Sequence, residues 1–312
     1  MKGLIGVCSP SFSKNHKLRS LLEQEFDDWA IKFCKTLHEM PHHELLDFLA
    51  EAEVAIVGKE RIDHNTLAKL PKLRAISKYG VGLDSINFAA CDHSGVKVYH
   101  TPGVNRHAVA EISLGMMISL LRNIHVSDRL LKQGIWRKDG GQQLWGKTVG
   151  IIGCGAVGSE LAKILRALQC KVLICDILDK SDFCRQIGAE QHSLPSILKQ
   201  ADIISLHVPL TSTTKHLMGR ENLSKMGKHS ILINTSRGEV VDQEALKIAL
   251  KSNSILGAAI DVYETEPCTD QEFLSLNNLL ATPHIAGNAV ECVEAMGKAA
   301  ISGVRDFVLS QN

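Results

Sequence analysis

Short apolar runs alternate along the whole chain with longer segments in which apolar residues recur at helical spacing. Strands of a parallel sheet covered on both faces form such continuous runs, and each covering helix carries one apolar face. The pattern therefore predicts an α/β fold built on parallel sheets. In the first third of the chain, the predicted strands are Leu4–Cys8, Ile31–Cys34, Val54–Val57, Leu73–Ser77 and Val96–Tyr99. The predicted helices between them are Leu18–Phe26, Glu44–Ala52, Asn65–Leu70 and Ser85–Asp92.

A second series of alternating runs begins at Lys147 and predicts a second α/β unit. Its predicted strands are Val149–Ile152, Lys171–Cys175, Ile203–Val208, Ile231–Asn234, Leu256–Ile260 and Leu279–Ala281. A closing helix is predicted over Asn288–Leu309. The chain is therefore expected to form two doubly wound units with a cleft between them.

The segment that joins the two series is apolar almost all round from Asn105 to about Leu121 and amphipathic beyond it. A helix of that kind has to be buried against more than one surface. Two interpretations stay open, namely a core helix of one domain and a helix that also contributes to a subunit interface.

Composition excludes several classes of protein. The 312 residues carry 35 Lys and Arg against 34 Asp and Glu, so the chain has no basic field that would hold nucleic acid. The longest apolar stretch, Ile112–Leu121, is far shorter than the ~20 residues of a membrane span. The N-terminus lacks the pattern of a secretory signal. Nine Cys without a C-x-x-C pair predict free thiols in a reducing cytoplasm and no metal site.

A glycine-rich turn follows the predicted strand Val149–Ile152 and precedes a segment of helical spacing. The order strand, G-x-G-x-x-G and helix is typical of a dinucleotide-binding turn, in which the glycines permit the tight bend, the approach of a pyrophosphate and the close packing of helix on strand. The helix N-terminus then offers N–H groups to the phosphates. The turn consists of Gly153, Cys154, Gly155, Ala156, Val157 and Gly158.

Asp176 ends the next strand, at the distance from the turn expected of an acid that binds the adenosine ribose. A carboxylate there accepts hydrogen bonds from the ribose diol and repels a 2′-phosphate. The predicted cofactor is therefore NAD rather than NADP. Cys154 and Cys175 flank the turn and are interpreted as small packing residues.

Three further motifs each follow a predicted strand: ILINTSRG (231–238), DVYETEP (261–267) and TPHIAG (282–287). Together with GCGAVG and HVPLT (207–211), they resemble the D-isomer-specific 2-hydroxyacid dehydrogenases. KYGVGLDSIN (78–87) resembles the D-3-phosphoglycerate dehydrogenase branch. The resemblance covers nearly the whole chain, and five motifs occur in the family's order.

The resemblance implies a Rossmann coenzyme domain, residues 101–284, inserted into a flavodoxin-like substrate domain, residues 1–100 plus 285–312. It also implies a homodimer. The family's substrate-binding arginine falls on Arg237, its acid/base on His284, and the carboxylate that orients this histidine on Glu266. Asp261 falls where the family holds the nicotinamide carboxamide. The residues for which cofactor contact is expected are Gly153, Gly155, Ala156, Val157, Gly158, Asp176, His207, Val208, Pro209, Thr235, Asp261 and Gly287.

On the substrate side, the N–H groups of Val81 and Gly82 resemble the family's carboxylate-binding nest. Lys59 and Lys78 follow two strands of the first unit, where a cation could bind a substrate phosphate. Either lysine could equally be a solvated surface residue. A phosphate site would favour 3-phosphoglycerate and 3-phosphohydroxypyruvate as substrates, with a place in serine biosynthesis.

The sequence thus predicts an NAD-dependent oxidoreductase that moves a hydride between nicotinamide and C2 of a D-2-hydroxy or 2-oxo acid, with 3-phosphoglycerate favoured. A glyoxylate or hydroxypyruvate reductase is the alternative within the enzyme class. An NAD(H)-responsive binding protein of the same fold is the alternative outside it.

Overall fold

A computed structural model of the chain describes residues 2–36, 40–138 and 140–311. These residues divide into two compact units, one from the residues up to Asn105 with those from Ala289 onward, and one from Arg106 to Asn288. The sequence places the divisions slightly earlier, at 100/101 and 284/285. Each unit is built around its own parallel sheet, so the predicted α/β class with two doubly wound sheets is confirmed.

The first unit holds, in its described residues, a five-stranded parallel sheet in the order β2-β1-β3-β4-β5, which is the flavodoxin-like order. The strands are β1 (Leu4–Val7), β2 (Ala30–Phe33), β3 (Val54–Val57), β4 (Ala75–Lys78) and β5 (Lys97–Tyr99). The helices between them are α1 (Pro10–Lys14), α2 (His16–Glu25), α3 (His42–Leu49), α4 (His64–Leu67) and α5 (Phe88–His93). Helix α1 was not predicted, because its five residues show no helical period.

Side-chain caps explain where several of these helices begin. Asn15, Asp63 and Asn87 accept hydrogen bonds from the N–H groups of the third helical residue of α2, α4 and α5, at 3.0–3.1 Å. Each cap satisfies one N–H that the helix itself cannot pair.

The last helix, Val290–Leu309, returns to the first unit and packs on β4. Ser77 of β4 donates a hydrogen bond to the carbonyl of Ala300 at 2.7 Å. Gly303 permits this close approach, because a Cβ at that position would lie 2.8 Å from the Cβ of Tyr99. The last helix thus packs within the first unit, on the sheet that the N-terminal strands form.

The second unit holds, in its described residues, a seven-stranded parallel sheet in the order β12-β11-β10-β9-β6-β7-β8. The chain enters at β6, runs outward to β8 and then crosses to β9 on the other side, which is the Rossmann arrangement. The strands are β6 (Thr148–Ile152), β7 (Lys171–Cys175), β8 (Glu190–Gln191), β9 (Ile203–Leu206), β10 (Ile231–Asn234), β11 (Gly257–Ile260) and β12 (Leu279–Ala281). The sequence missed β8, whose two exposed residues form no apolar run.

The helices of this unit are α6 (Arg106–Leu121), α7 (Ile124–Lys132), α8 (Ala156–Ala167), α9 (Ser181–Ile187), α10 (Leu194–Gln200), α11 (Arg220–Ser224), α12 (Gln243–Lys251) and α13 (Gln271–Leu274), with a 3-10 turn at Gly238–Val240. The segment expected to form one long helix is two, α6 and α7, bent by 64° where Asn123 adopts a left-handed backbone of φ 53°. Helix α6 packs on α8 and β10.

Among the described residues, no single helix is long and apolar enough to cross a bilayer. Helices α6 and α7 taken together reach that length and composition, but the 64° bend separates them.

Candidate active site

The candidate residues of the second unit lie in loops that follow β6, β7, β9, β10, β11 and β12. All of these strands are parallel and hydrogen-bonded to their neighbours, so their carboxyl ends form one edge of the sheet. β6 and β9 are adjacent although β7 and β8 come between them in the chain. In doubly wound sheets this topological switch point is where ligands bind.

The glycine turn between β6 and α8 has room for a ligand at one glycine and none at the other two. A Cβ on Gly153, at φ 93°, would lie 2.6 Å from the carbonyl oxygen of His207, and a Cβ on Gly158 would overlap the carbonyl of Gly153. A Cβ on Gly155 would meet no protein atom within 4 Å. The space beside Gly155 is therefore open to an incoming group.

The N-terminus of α8, which follows Gly155, is suited to binding an anion. Helix α8 begins with Ala156 and Val157, has no side chain that caps its first N–H groups, and carries no acid in its first turn. Such a helix end binds phosphate through its N–H groups and its positive dipole end. The glycine turn and α8 therefore fit the pyrophosphate of NAD.

Asp176 lies directly beside this turn. Its Oδ2 accepts a hydrogen bond from the N–H of Cys154 at 2.7 Å, and its Oδ1 accepts one from the N–H of Leu178 at 2.9 Å. The carboxylate thus helps to shape the turn as well as lying where a ribose contact is expected. Burial raises the pKa of the Cys154 thiol to about 11 and also raises that of Cys175. Both cysteines are therefore neutral packing residues at physiological pH.

The loop after β9 begins with His207, whose Nε2 lies 2.8 Å from the Oγ of Ser205. Burial lowers the pKa of His207 to about 4, so this imidazole is neutral in the physiological range. Its carbonyl and the side chain of Val208 lie against Gly153. The carbonyl of Pro209 accepts a hydrogen bond from Thr214 at 2.6 Å. These residues support the glycine turn and close the loop on itself.

The turn after β10 is shaped by Asn234, the last residue of that strand. Its Oδ1 accepts hydrogen bonds from the N–H and Oγ of Ser236, at 3.1 and 2.8 Å, and its Nδ2 donates to the carbonyl of Arg237 at 2.9 Å. The Oγ1 of Thr235 lies 3.0 Å from the Oγ of Ser113 on α6. Arg237 is half-buried, and its Nη1 donates to the carbonyl of Ser236 at 2.6 Å.

Gly238 brings this turn against the loop after β11, because a Cβ there would overlap the carbonyl of Tyr263. Asn234 and Gly238 shape the site although no motif predicted this role for them. The available signals were a polar side chain at the end of a buried strand and a glycine directly after the arginine.

His284 and Glu266 form the pair that the sequence predicted. Nδ1 of His284 lies 2.9 and 2.8 Å from the two carboxylate oxygens of Glu266. The two side chains are 34% and 29% exposed, so a small ligand can reach them. Because Nδ1 faces the carboxylate, Nε2 is the nitrogen left to exchange a proton with a ligand. His284 adopts a left-handed backbone, φ 55°, which costs about 1–2 kcal/mol.

Asp261 holds the turn on which His284 lies. Its carboxylate is completely buried and accepts three hydrogen bonds, from the Oγ1 of Thr282 at 2.6 Å and from the N–H groups of Ile285 and Ala286 at 2.8 Å. Tyr263, whose pKa burial raises to about 12, donates to the carbonyl of Thr282 at 2.9 Å. The oxygens of Asp261 are thus hydrogen-bonded to this turn. Contact between Asp261 and the nicotinamide carboxamide stays a prediction. Gly287, half-buried, follows the turn.

The substrate-side residues named from the sequence lie in the first unit. Lys78 is buried, 6% exposed, and its Nζ donates to the carbonyl of Gly58, so the interpretation of Lys78 as a solvated surface residue is wrong. The N–H of Gly58 in turn donates to Glu60, which is also buried. Lys59 is exposed.

Val81 and Gly82 are half-buried and follow Gly80, whose φ of 113° turns the chain after Tyr79. Their N–H groups remain a predicted carboxylate nest. Within the described residues, no group of three or more His, Cys, Asp or Glu side chains could hold a metal ion.

Comparison with known proteins identifies the family to which the chain is similar. Residues 114–286 match the family model described as "D-isomer specific 2-hydroxyacid dehydrogenase, NAD binding domain". A glyoxylate reductase of Pyrococcus furiosus is 33% identical over 289 residues, which cover 89% of this chain and 85% of that protein. A D-3-phosphoglycerate dehydrogenase of Methanocaldococcus jannaschii is 35% identical over 290 residues, 90% of this chain but 55% of that protein.

Among solved structures, a D-lactate dehydrogenase of Aquifex aeolicus complexed with NAD and lactic acid is similar to this chain. Its TM-score is 0.86 at 29% sequence identity, and the match covers 98% of this chain and 96% of that one.

Alanine substitutions at Gly155 and Gly158 compare the open space beside the first glycine with the crowded space beside the second. Gly155→Ala should leave the melting temperature unchanged but weaken NADH binding about tenfold or more, near 1.4 kcal/mol, because the added methyl occupies the space of the pyrophosphate. Gly158→Ala should lower the melting temperature, since overpacking costs about 1–3 kcal/mol. Thermal unfolding and NADH fluorescence titration measure both effects. Unchanged NADH affinity in Gly155→Ala would place the phosphates elsewhere.

Proposed function

The chain belongs to the D-isomer specific 2-hydroxyacid dehydrogenase family, and on that premise we propose that it is an NAD-dependent reductase of small, unphosphorylated 2-oxo acids such as glyoxylate and hydroxypyruvate. The observation that carries the proposal is the His284–Glu266 pair. It lies on the sheet edge that also bears the glycine turn and Arg237. This arrangement supplies an oriented proton donor and a carboxylate-binding cation.

Each of these residues has a distinct task. NADH, when bound, supplies the hydride that reaches C2 of the 2-oxo acid. Nε2 of His284 gives the accompanying proton to the substrate oxygen, and takes it back in the oxidative direction. Glu266 fixes the imidazole through Nδ1 and stabilises its protonated form. The guanidinium of Arg237 binds the substrate carboxylate and its C2 oxygen, which fixes the face that receives the hydride.

The environment of Lys78 supports an unphosphorylated substrate. Its ammonium is buried and already donates to the carbonyl of Gly58, and the buried carboxylate of Glu60 lies on the N–H of the same glycine. A nearby carboxylate offsets the positive charge that a phosphate would need. The similarity to a glyoxylate reductase also favours an unphosphorylated substrate.

A second candidate substrate is 3-phosphohydroxypyruvate, which would place the protein in serine biosynthesis. The 35% identity to a D-3-phosphoglycerate dehydrogenase and the exposed Lys59 after β3 favour it. An NAD(H)-responsive binding protein without turnover is the third candidate, and the test below separates all three.

The surface of α7 supports a homodimer. No described residue of this amphipathic helix is buried, although Ile124 and Leu131, two turns apart on one face, are large and apolar. Ile135 and Trp136 follow, with Trp136 79% exposed. Large apolar side chains exposed on this helix and directly after it fit a protein partner, and a second copy of the chain is the partner that family resemblance implies.

The cytoplasm is the proposed compartment. All nine cysteines are free thiols in the structure, and seven of them are buried. Free thiols of this number are typical of reducing compartments.

The substrate class can be tested by the loss of NADH absorbance with four separate acids: glyoxylate, hydroxypyruvate, pyruvate and 3-phosphohydroxypyruvate. We expect glyoxylate and hydroxypyruvate to give kcat/KM values about tenfold or more above that of the phosphorylated acid. Oxidation of NADH only in the presence of 3-phosphohydroxypyruvate would select the second candidate. Saturable NADH binding without turnover of any acid would select the binding protein.

The role of His284 is tested in the same assay. His284→Ala should lower kcat about 10²- to 10⁴-fold, because the general acid is lost, while NADH affinity stays as in the wild type. Equal loss of turnover and of NADH affinity would mean that this imidazole does not act as the acid/base.

The preference for NADH is tested at Asp176. Asp176→Ala should raise the NADPH-to-NADH ratio of kcat/KM about tenfold or more, since it removes the charge that repels a 2′-phosphate. Asp176→Asn keeps one oxygen that can accept from the N–H of Cys154, so it separates charge repulsion from the shape of the turn. An unchanged ratio in both variants would show that the ribose contact lies elsewhere.

The dimer is tested by sedimentation. The wild type should sediment with the mass of two 34.1 kDa chains, and Leu131→Asp should sediment as a single chain because burying an unpaired carboxylate in the interface is costly. Ile248→Asp is the matched control, since Ile248 is a similarly exposed apolar residue on α12 of the same unit. A monomeric wild type would contradict the proposal.

A further inference from the structure

A second histidine–glutamate contact joins the loops on the carboxyl edge of the second sheet, and the mechanism above does not use it. Nε2 of His216, in the loop after β9, lies 3.0 Å from Oε1 of Glu264, in the loop after β11. At this distance the two side chains are in contact, and a protonated imidazole forms an ion pair with the carboxylate. The same Oε1 accepts the N–H of Gln243, the first residue of α12, at 3.1 Å. Glu264 is thus held at the positive end of that helix.

The backbone of His216 makes a second connection. Its N–H donates to the carbonyl of Glu239 at 2.7 Å, in the turn after β10. Two residues on, the N–H of Met218 donates to the carbonyl of Val240 at 3.0 Å. His216 itself adopts φ 51°, a left-handed backbone that is uncommon for residues other than glycine. This one residue therefore connects the loop after β9 to the loops after both β10 and β11.

The two loops that His216 connects carry the proposed chemistry. Glu239 lies two residues after Arg237, and Gly238 between them packs against the backbone of Tyr263 and Glu264. Glu264 lies two residues before Glu266, whose Oε1 accepts the N–H of Tyr263 at 3.4 Å. A shift of the loop at Glu264 would therefore move the carboxylate that orients His284.

We propose that His216 is a positioning residue: through its side-chain contact with Glu264 and its backbone hydrogen bond to the carbonyl of Glu239, it holds Glu266 and Arg237 in their working arrangement. The proposal rests on the function proposed above for those two residues. It assigns His216 no contact with substrate or cofactor. Its effect should appear in the catalytic step and in substrate binding, and NADH binding at the turn after β6 should stay unchanged.

The first test compares two substitutions of His216. His216→Ala should lower kcat/KM for the preferred 2-oxo acid about 10- to 100-fold, the loss expected when reacting groups are slightly misplaced, with NADH affinity unchanged. His216→Gln should restore most of the loss, because its amide group can keep a polar contact with the carboxylate of Glu264. The matched control is His192→Ala, which removes another His–Glu pair of this unit, His192–Glu190 at 2.9 Å, at β8. That control should leave kcat/KM at the wild-type value.

The second test measures coupling. If His216 acts through Glu264, the double variant His216→Ala with Glu264→Ala should have a kcat/KM no lower than that of the worse single variant. If the kcat/KM losses of the two single variants multiply in the double variant, the two residues act independently, and that result would overturn the proposal. So would a loss of NADH affinity parallel to the loss of turnover, or no rescue by His216→Gln.

A third measurement does not depend on turnover. The ring resonances of His284 in the NMR spectrum should move in His216→Ala and stay in place in His192→Ala. If the wild type turns over no 2-oxo acid but the resonances move as expected, the proposed function fails and the positioning role stands. If the wild type is active and the resonances stay in place, the positioning role fails alone.

Discussion

The carboxylate of Asp261 has no contact with solvent, and this single constraint accounts for much of the site. A buried charge is tolerated only when its oxygens are hydrogen-bonded. Here the donors are Thr282 and the N–H groups of Ile285 and Ala286, all in the turn after the neighbouring strand. The turn must therefore adopt the one backbone path that points these donors at the carboxylate, and that path places His284 in its left-handed conformation.

Close approach between loops supplies the other half of the arrangement. Gly153 and Gly158 let the turn after β6 fold tightly against α8 and the loop after β9, and Gly238 lets the turn that bears Arg237 touch the loop after β11. At each of these three positions a Cβ would meet backbone atoms, which cannot move aside as a flexible side chain can. Gly155 differs, because the space next to it holds no protein atom. The contrast separates glycines required for packing from the glycine beside the space for a ligand.

The two histidines in the HVPLT and TPHIAG motifs of the second unit, His207 and His284, have opposite surroundings. His207 is held against Ser205 in a place where burial lowers its pKa to about 4, so it is a neutral structural imidazole. His284 is partly exposed and paired with Glu266. Proton exchange with a ligand needs both exposure and an orienting partner, and among these two histidines only His284 has both. Lys78 gives the corresponding contrast in the first unit, since burial turns a candidate ligand-binding cation into a support for Gly58.

The sequence by itself determined the α/β class, all but one of the strands and the glycine turn, and it predicted the pairing of His284 with Glu266, because strand burial, helical period and short motifs are local properties of the chain. It could not determine the break between α6 and α7, since a left-handed Asn123 leaves no periodic signal. Nor could it show that Lys78 is buried or that Asp261 faces the turn of His284. Those facts depend on which residues meet after the strands align, at separations of about 20 residues along the chain. Only tertiary structure decides such contacts, because the partners are chosen by sheet order and by the space between loops.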